Sequence, residues 1–311
     1  MDIRTGNLFV TGGAGTLGRA IARRRKEQGW TGRLTVYSSD THKHDYMRKF
    51  YPDVQYVQGD IRNPLTLYNA MCGHDIVIHA AAVKVIPTSE WWSIDTFDVN
   101  VNGSLNVSDC AIRAGVSDVL GISTDKACHA VNAYGSTKYM LEKTWQEFSR
   151  NPNIETKFHL VRYGNILEST GSVIEIWKNT LAEKRPIKIT NPEMTRFWAS
   201  PQQAVTLVEL ALQVKAGIIL IPKMKALSIG KLAQYTLGSE FEFEIIPLRP
   251  GEKMHEELLT IEETKYATES QDFYYLCPTT SAEVEYPCGP YSSVIAPELT
   301  KEELMELLKD E

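Results

Sequence analysis

Short apolar runs alternate with longer stretches of helical spacing through the first half of this chain. The runs have the length and composition of buried strands and cover residues 7–11, 33–37, 54–58, 75–79, 118–123 and 157–162. The stretches between them have helical spacing and cover residues 16–28, 41–51, 64–71, 88–114 and 133–148. Asn132 stands where it can cap the last of these helices. This alternation predicts an α/β fold of the Rossmann type, a doubly wound parallel sheet with helices on both faces.

The regular alternation ends after about residue 165. A helical pattern over 173–183 precedes a proline-punctuated stretch, 186–201, and a helix and a strand that can return to the sheet follow at 202–214 and 217–221. We therefore expect a dinucleotide-binding domain of residues 1–165 plus about 201–222. We expect a smaller, discontinuous substrate-binding lobe of about 166–200 and 223–311, with the site in the cleft between them.

Composition and charge narrow the class of protein. The 311 residues carry 39 acidic and 33 basic side chains, a formal charge of −6, which argues against a nucleic-acid partner. No run approaches the roughly 20 apolar residues of a membrane span, and the N-terminus is polar, so we expect no membrane segment and a cytoplasmic protein. Five scattered cysteines form no C-x-x-C pair, and we expect neither a disulfide framework nor a metal site.

A glycine-rich loop joins the first predicted strand to the first predicted helix. Its spacing is G-x-x-G-x-x-G, and the residues expected to bind a dinucleotide are Thr11, Gly12, Gly15, Thr16, Leu17 and Gly18. Glycine lets the backbone approach a pyrophosphate, which the N–H groups at the start of the helix can then bind. The position of the loop between a strand and a helix favours this interpretation over a simple tight turn.

The end of the second strand bears on the choice between NADP and NAD. A carboxylate that binds the ribose 2′-hydroxyl is typical of NAD sites. Here the chain has Ser38 and Ser39 instead, with Lys43 about a turn downstream. The pattern favours NADP because Lys43 can bind a 2′-phosphate, whereas the nearby Asp40 keeps NAD open.

Two further segments are expected close to the cofactor. Asp60 and Ile61 follow the third strand, where an adenine edge can be bound, and the alternative for Asp60 is a cap on the next helix. Three small residues and a lysine follow the fourth strand: Ala80, Ala81, Ala82 and Lys84. Such small side chains suit a backbone that lies against a cofactor, although Lys84 would be equally ordinary in a turn.

Five residues carry the candidate chemistry. Tyr134 and Lys138 are spaced i, i+4 and therefore share one face of a helix, where the ammonium would stabilise a phenolate that acts as a base. Thr124, Asp125 and Lys126 end the fifth strand, at the edge where open parallel sheets bind ligands. The alternatives are an ordinary helix face for the first pair and a turn with a local ion pair for the second group.

These motifs resemble the extended short-chain dehydrogenase/reductases, which act mainly on nucleotide sugars. The resemblance spans the whole chain. More narrowly, five strings in order are similar to UDP-N-acetylglucosamine 4,6-dehydratases, and they occupy residues 79–84, 123–127, 161–165, 194–198 and 249–257. The intact Tyr134 and the Asp125–Lys126 pair are more similar to the branch of that family that inverts carbon 5.

The resemblance implies a role for each candidate residue. Tyr134 would take the proton of the sugar 4-hydroxyl while hydride passes to NADP, Lys138 would hold the nicotinamide ribose, and Thr124 would contact the hydroxyl. Lys126 would then remove the proton at carbon 5, and Asp125 would protonate the departing 6-hydroxyl. The resemblance also implies substrate contacts for Lys84, Asn165, Arg196, Arg249 and Glu252, and a structural role for Asn100.

Departures from the family pattern qualify these expectations. His129 and Ala130 replace Asn-Pro, Ser39 replaces an arginine that often binds the 2′-phosphate, and 168–171 reads Glu-Ser-Thr-Gly instead of Gly-Ser-Arg-Gly. The substitution at Glu168 can alter phosphate contacts or sugar preference. None of these changes removes a residue assigned to the chemistry.

Two alternatives remain at this stage. A UDP-sugar 4-epimerase needs Tyr134 and Lys138 but has no comparable use for the Asp125–Lys126 pair, and a dinucleotide sensor without catalysis could dispense with the tyrosine. By family analogy we expect a homo-oligomer. For Trp91 and Trp92 we expect core packing, with a pocket or an oligomer contact as the alternative.

Overall fold

The computed structural model describes residues 2–167, 169, 171–238, 241–277 and 288–309. Its strands are β1 Leu8–Thr11, β2 Leu34–Ser38, β3 Gln55–Gln58, β4 Ile76–His79, β5 Asp118–Thr124, β6 Lys157–Tyr163, β7 Asn165–Ile166, β8 Ile187–Ile189, β9 Thr195–Ala199, β10 Ile219–Pro222, β11 Ala226–Ser228, β12 Phe243–Ile245, β13 Glu257–Leu259, β14 Ala267–Glu269, β15 Phe273–Leu276 and β16 Tyr291–Ser292. The six strands predicted for the first half are confirmed, each within about one residue of the expected bounds.

A large sheet forms the centre of the molecule. Among the described residues it has nine strands in the order β14-β15-β10-β6-β5-β4-β1-β2-β3. The run from β10 to β3 is parallel, and β15 and β14 extend it by antiparallel pairing. The part β3-β2-β1-β4-β5-β6 has the strand order of a Rossmann fold, which confirms the predicted fold class.

Helices cover the sheet. They are α1 Thr16–Gln28, α2 Thr41–Phe50, α3 Pro64–Met71, α4 Ile86–Trp91, α5 Ser93–Phe97, α6 Gly103–Ala114, α7 Ala133–Phe148, α8 Val173–Ala182, α9 Pro201–Ala211, α10 Ile229–Leu237 and α11 Lys301–Leu307. Asn132 caps α7 as predicted, because its side chain accepts a hydrogen bond from the Gly135 N–H at 2.7 Å. The capping role considered for Asp60 is wrong, since Asn63 caps α3.

The long helix predicted over 88–114 is broken. Trp92 separates α4 from α5 with φ −120° and ψ 53°, and a π-helical turn, Asp98–Asn102, joins α5 to α6. Asn100 lies in this turn, and its side chain bonds both backbone groups of Val83 and the hydroxyl of Thr137 at 2.8–3.0 Å. The wide turn therefore presents an amide that ties the segment after β4 to α7.

A smaller region packs on the sheet beside its carboxyl edge. It holds the short sheets β11-β9-β7, β12-β8 and β13-β16. A separate apolar core under α8 and α10 includes Trp177, Trp198 and Leu232. The predicted lobe range 223–311 differs from the structure at one point, because β14 and β15 lie in the large sheet. β15 pairs antiparallel with β10 and β14 pairs antiparallel with β15, and single-sequence spacing does not reveal such partners.

Candidate active site

The glycine loop lies between β1 and α1 and packs against the segment after β4. Gly12 has φ +63°, and a Cβ there would lie 2.7 Å from the Ala81 Cα. A Cβ on Gly18 would lie 1.9 Å from the Gly13 carbonyl oxygen, so this glycine lets α1 approach the loop. Gly15 begins α1 without a side-chain cap. The first N–H groups of the helix are thereby left for a ligand.

Thr11 and Thr16 support the loop in different ways. The Thr11 hydroxyl hydrogen-bonds the buried His79 ring at 2.7 Å and accepts the Ala81 N–H at 3.3 Å. Burial, with Lys138 nearby, lowers the pKa of His79 to about 3, so this ring is neutral. The Thr16 hydroxyl is buried without a hydrogen-bond partner among the described residues. An orphaned hydroxyl in the first turn of α1 fits a site that a phosphate completes.

A cavity of about 790 Å³ runs along the carboxyl edge of the sheet. It brings together most of the predicted cofactor residues: Gly12, Gly15, Thr16, Leu17, Ser38, Ser39, Lys43, Asp60, Ile61, Ala80, Ala81, Ala82, Lys84, Tyr134 and Lys138. Thr124, Lys126, Asn165, Arg249 and Glu252 line it as well. Thr11, Gly18, Asp125 and Arg196 lie outside its lining, and Glu168 and Thr170 lie outside the described residues.

Charged groups line the end of the cavity near β2. Asp40 caps α2 by accepting the Lys43 backbone N–H, and its carboxylate also lies 3.0 Å from the Lys43 ammonium. The backbone hydrogen bond and the ammonium both lower the pKa of Asp40. Asp60 is bound by Arg62 through several hydrogen bonds of 2.6–3.1 Å. Asp40 and Asp60 are therefore each paired with a cation, and Arg62 also bonds Asp95 at 2.8 Å, so these pairs reduce without cancelling the negative potential that a phosphate would meet.

Tyr134 and Lys138 face the middle of the cavity from α7. Burial raises the pKa of Tyr134 to about 12, whereas the nearby Lys126 charge and a hydrogen bond with Thr124 act to lower it. Burial lowers the pKa of Lys138 to about 8, against the opposing effect of Glu142. The tyrosine therefore depends on neighbouring cations to ionise, as a base at this position must.

Lys126 lies at the end of β5 among oxygen atoms. Its ammonium is 3.0 Å from the Asp125 Oδ1 and 3.2 Å from the Asn165 Oδ1. The Thr124 hydroxyl also donates to the Asp125 Oδ1, at 2.9 Å. The other Asp125 oxygen is buried without a hydrogen-bond partner among the described residues. Thr124 and Lys126 thus stand between the cavity and a carboxylate with unused bonding capacity.

Glu256 is a residue of this site that the sequence analysis did not assign. It is buried just before β13, with one oxygen 3.7 Å from the Lys126 ammonium and 3.8 Å from the Arg196 Nε. Asp125 and Glu256 together raise the pKa of Lys126 against the effect of burial. Glu256 falls inside the motif 249–257, but its partner is 130 positions away, so spacing does not reveal the contact.

Arg196 and Arg249 are placed differently from one another. Arg196 is buried, and its guanidinium donates to the carbonyl oxygens of residues 195, 253 and 254 at 2.8–3.2 Å. Arg249 is exposed at the mouth of the cavity, where it pairs with Glu252 at 3.5 Å. Arg249 also lines an adjoining cavity of about 330 Å³, together with Arg185 and Lys188. Of the two predicted phosphate ligands, only Arg249 is thus directed to open space among cations.

The loop that carries Arg249 is joined directly to the catalytic segment. Asn132 donates to the Gly251 carbonyl at 2.8 Å, and Gly251 has φ +78° with no room for a Cβ against Asn132. The Lys253 ammonium donates to the Cys128 carbonyl. His129 bridges Glu257 and Glu262 at 2.7 and 3.0 Å. The Asn132 and Lys253 contacts fix the substrate side of the cavity relative to α7.

A fully satisfied charge network lies behind the site. Arg162 of β6 is completely buried, and its guanidinium bonds Glu142 of α7 and Glu263 at 2.7–2.9 Å. It also reaches the Leu258 carbonyl and the Cys128 sulfur, both at 3.0 Å. The network joins β6 and α7 to the segment after β13.

Trp91 and Trp92 do not pack in the core. Their exposed fractions are 83% and 68%, and Ile94 in the next helix is 86% exposed. The prediction of core packing is therefore wrong. A helical apolar pattern does not distinguish a face that meets the core from one that meets another surface.

Two absences concern the described part of the chain. None of its helices combines the length and apolar content that a membrane span requires. Within the same residues no group of three His, Cys, Asp or Glu side chains is arranged as a metal site.

The fold, the glycine loop and the Tyr134–Lys138 pair define an extended short-chain dehydrogenase/reductase. A glycine loop between the first strand and the first helix of this fold is typical of dinucleotide-binding sites. The family model described as polysaccharide biosynthesis protein matches residues 8–278, and the chain belongs to that family.

Individual relatives support the same assignment. The chain is 34% identical over 278 residues to UDP-N-acetylglucosamine 4,6-dehydratase (inverting) of Campylobacter jejuni, which covers 88% of this chain and 83% of the relative. It is 36% identical over 290 residues to UDP-glucose 4-epimerase of Rickettsia conorii, with 90% and 84% covered. The X-ray structure of Pen from Bacillus thuringiensis superposes with a TM-score of 0.91 at 30% identity, covering 100% and 99% of the two chains.

Proposed function

We propose that this protein is a UDP-N-acetylglucosamine 4,6-dehydratase that inverts carbon 5. The observation that carries the proposal is the Asp125–Lys126 pair, 3.0 Å apart, whose lysine lines the same cavity as Tyr134 and Lys138. A 4-epimerase needs a base for the 4-hydroxyl only, whereas a dehydratase also needs a base for carbon 5 and an acid for the departing hydroxyl. Relatives of both activities are similar to the chain, the dehydratase of Campylobacter jejuni at 34% identity and the epimerase of Rickettsia conorii at 36%, so the Asp125–Lys126 pair carries the choice.

In the first step, Tyr134 removes the proton of the 4-hydroxyl. Lys138 stabilises the phenolate from one turn away, and Lys126 adds positive charge on the other side. Thr124 hydrogen-bonds the same hydroxyl and orients it. When bound, the nicotinamide accepts the hydride from carbon 4 and later returns it to carbon 6. The close approach of Gly12 to Ala81 and the orphaned Thr16 hydroxyl fit its pyrophosphate.

In the second step, the 4-ketone acidifies the proton at carbon 5, and Lys126 in its neutral form takes that proton. Asp125 supplies a proton to the departing 6-hydroxyl, so that water leaves and a carbon–carbon double bond forms between carbons 5 and 6. Because Asp125 does not line the cavity, the Thr124 hydroxyl, 2.9 Å from it, provides the route for that proton. Once the hydride is on carbon 6, carbon 5 takes a proton from the face opposite to the one it lost, which inverts that centre.

The nucleotide of the substrate is assigned to the small lobe. We propose that this lobe comprises about 166–200 and 223–311 without β14 and β15, and that the Rossmann domain comprises 1–165 and about 201–222. Arg249, Arg185 and Lys188 line the adjoining cavity of about 330 Å³ and supply positive charge for a diphosphate. Lys84 and Asn165 line the main cavity on the sugar side.

The proposed cofactor is NADP. Residues 38–39 provide hydroxyl groups where an NAD site has a carboxylate, and Lys43 lies in the same cavity wall. Asp40 pairs with Lys43 at 3.0 Å and opposes a 2′-phosphate, so its neutral variant provides the test. Asp40→Asn should tighten NADP binding more than NAD binding in fluorescence titrations. An equal effect on both would argue against this placement of the 2′-phosphate.

A second copy of the chain is the proposed partner of the exposed Trp91, Trp92 and Ile94 surface. Isolated apolar side chains are common at surfaces, but three large neighbours more than 65% exposed form a patch typical of interfaces. Light scattering should give at least the mass of a dimer, and Trp91→Ser with Ile94→Ser should reduce it to a monomer. The five scattered cysteines, which include no C-x-x-C pair, support a cytoplasmic location.

The deciding experiment follows UDP-N-acetylglucosamine in deuterated water by proton NMR. A dehydratase should give a new carbon-6 methyl signal with deuterium at carbon 5 and no added reductant. Formation of the galacto isomer would instead show an epimerase, and bound cofactor without turnover would support a sensor.

Two variants assign the steps of the proposed reaction. Tyr134→Phe should abolish cofactor reduction, because it removes the only hydroxyl of that side chain. Lys126→Ala should block exchange at carbon 5 but leave part of the oxidation. Full dehydration by Lys126→Ala would contradict the role of Lys126.

A further inference from the structure

Glu256 lies behind Lys126, and neither the sequence motifs nor the relatives assign it a role. Its carboxylate is 2% exposed, and one of its oxygens has no hydrogen-bond partner among the described residues. A buried carboxylate with unused bonding capacity is costly, so its position calls for an explanation beyond packing.

The backbone holds Glu256 in place from two sides. Its N–H donates to the Ser293 hydroxyl at 2.9 Å, and its carbonyl accepts the Ser293 N–H at 2.8 Å. Arg196 fixes the preceding turn through the carbonyl oxygens of Lys253 and Met254. The carboxylate therefore meets Lys126 at 3.7 Å because the chain directs it there.

The distance of 3.7 Å limits what Glu256 can do. It is longer than a hydrogen bond, so the carboxylate acts on Lys126 through its charge. The other charged or titratable groups that face this pair are Asp125, Tyr134, Arg196 and Lys253. Asp125 and Glu256 favour the ammonium form of Lys126, and Arg196 opposes it. Since Tyr134 ionises more readily beside that ammonium, the charge of Lys126 bears on both proposed proton transfers.

We propose that Glu256 is a positioning residue that sets the charge of Lys126, and thereby balances the two steps. This inference rests on the proposed dehydratase function. Burial and the neighbouring Asp125 raise the pKa of Glu256, whereas Lys126, Arg196 and Lys253 act to lower it. With Glu256 ionised, Lys126 stays an ammonium while Tyr134 removes the first proton. The same charge restrains Lys126 from acting as the base at carbon 5 until the ketone has formed. Glu256 thus favours removal of the 4-hydroxyl proton by Tyr134 and slows removal of the carbon-5 proton by Lys126.

The test is Glu256→Gln, which removes the charge and keeps the shape. The rate of deuterium exchange at carbon 5 should rise with pH as Lys126 loses its proton. In Glu256→Gln this rise should occur at a pH lower by about one to three units, since an opposite charge at this distance shifts a pKa by that much. Pre-steady-state reduction of the cofactor should shift the other way, toward higher pH. Glu256→Asp, which keeps a charge, should restore both profiles toward wild type.

The matched control is Glu257→Gln, the next residue, whose carboxylate binds His129 instead of Lys126. It should leave both pH profiles in place. If Glu256→Gln lowered both rates without separating the two profiles, its role would be structural and the inference would be overturned.

A second measurement does not depend on turnover. Lysines carrying ¹³C at Cε in the cofactor-bound protein can be titrated by NMR, with Lys126→Met to assign the signal. The Lys126 midpoint should fall in Glu256→Gln, and an unchanged midpoint would overturn the inference. The wild-type protein could prove inert toward UDP-N-acetylglucosamine while the Lys126 midpoint still falls in Glu256→Gln. That result would refute the proposed function and leave the effect of Glu256 on Lys126 standing.

Discussion

Two buried charge clusters meet near the ends of β5 and β6, and they are built differently. Around Arg162, each charged group reaches its partners at 2.7–3.0 Å, and both carboxylates are bound. Around Lys126, the carboxylates lie at 3.0 and 3.7 Å, and each retains an oxygen without a hydrogen-bond partner among the described residues. The first arrangement suits a fixed joint between elements, whereas the second leaves capacity for a substrate and for protons that move.

The largest expected effect comes from breaking the satisfied cluster. Arg162→Met leaves Glu142 and Glu263 buried without their cation, and it should lower the free energy of unfolding by about 3–5 kcal/mol. Urea denaturation of the cofactor-bound protein measures the loss. The triple variant that adds Glu142→Gln and Glu263→Gln removes the stranded charges and should recover part of it. A loss below about 1 kcal/mol in the single variant would show that the network is not structural.

An intermediate effect on stability is expected in the open cluster. Asp125→Asn should lower the free energy of unfolding by only about 1–2 kcal/mol, because Glu256 and Asn165 still face Lys126. The dehydration rate should nevertheless fall by about 10²–10⁴-fold, since the proton donor is lost. Equal stability losses in Asp125→Asn and Arg162→Met would remove the distinction between the two clusters.

The smallest effect should come from the exposed pair of His129 with Glu257 and Glu262. These carboxylates raise the pKa of His129, so its contribution is complete below the unfolded value of about 6.5 and is lost as pH rises through the raised folded pKa. Because the His129 side chain is about half exposed, the contribution should not exceed about 1 kcal/mol.

His129→Asn provides the measurement, since asparagine tolerates the φ of +39° at this position. Its stability deficit relative to wild type should be present at acidic pH and should vanish well above neutrality. A deficit that persisted unchanged in alkaline solution would assign the effect to the hydrogen bonds and packing of the neutral ring instead of its charge.

Much of the fold was predictable because buried parallel strands are short apolar runs. Six such runs, with the glycine loop, were enough for the Rossmann order. The break at Trp92 and the π-helical turn were not predictable, because the turn is held by Asn100 bonds to Val83, on another segment. The antiparallel strands β14 and β15 were missed for the same reason, since β15 pairs with β10 on another segment and β14 joins the sheet through β15.

The residues of the candidate site also fall into those that local spacing predicts and those that depend on contacts between distant segments. Tyr134 and Lys138 follow from helical spacing, and Asp125 and Lys126 from their position at a strand end. Glu256 and the Arg162 network depend on contacts between segments about 20 to 130 residues apart, which spacing in one sequence does not record. Trp91 and Trp92 show the converse case, because an apolar pattern predicted burial where the structure has an exposed surface.

The stretch from Arg249 to Glu256 has a consequence for how this protein can change. Eight consecutive residues supply the pair at the cavity mouth, the Gly251 contact to Asn132, and the carboxylate beside Lys126. A single insertion or deletion within it would move the nucleotide contact and the charge on the base out of register together. The proposed nucleotide contact and the charge beside Lys126 are therefore encoded by one short stretch of sequence. Exchange of this stretch between relatives should transfer substrate choice and acid–base balance together.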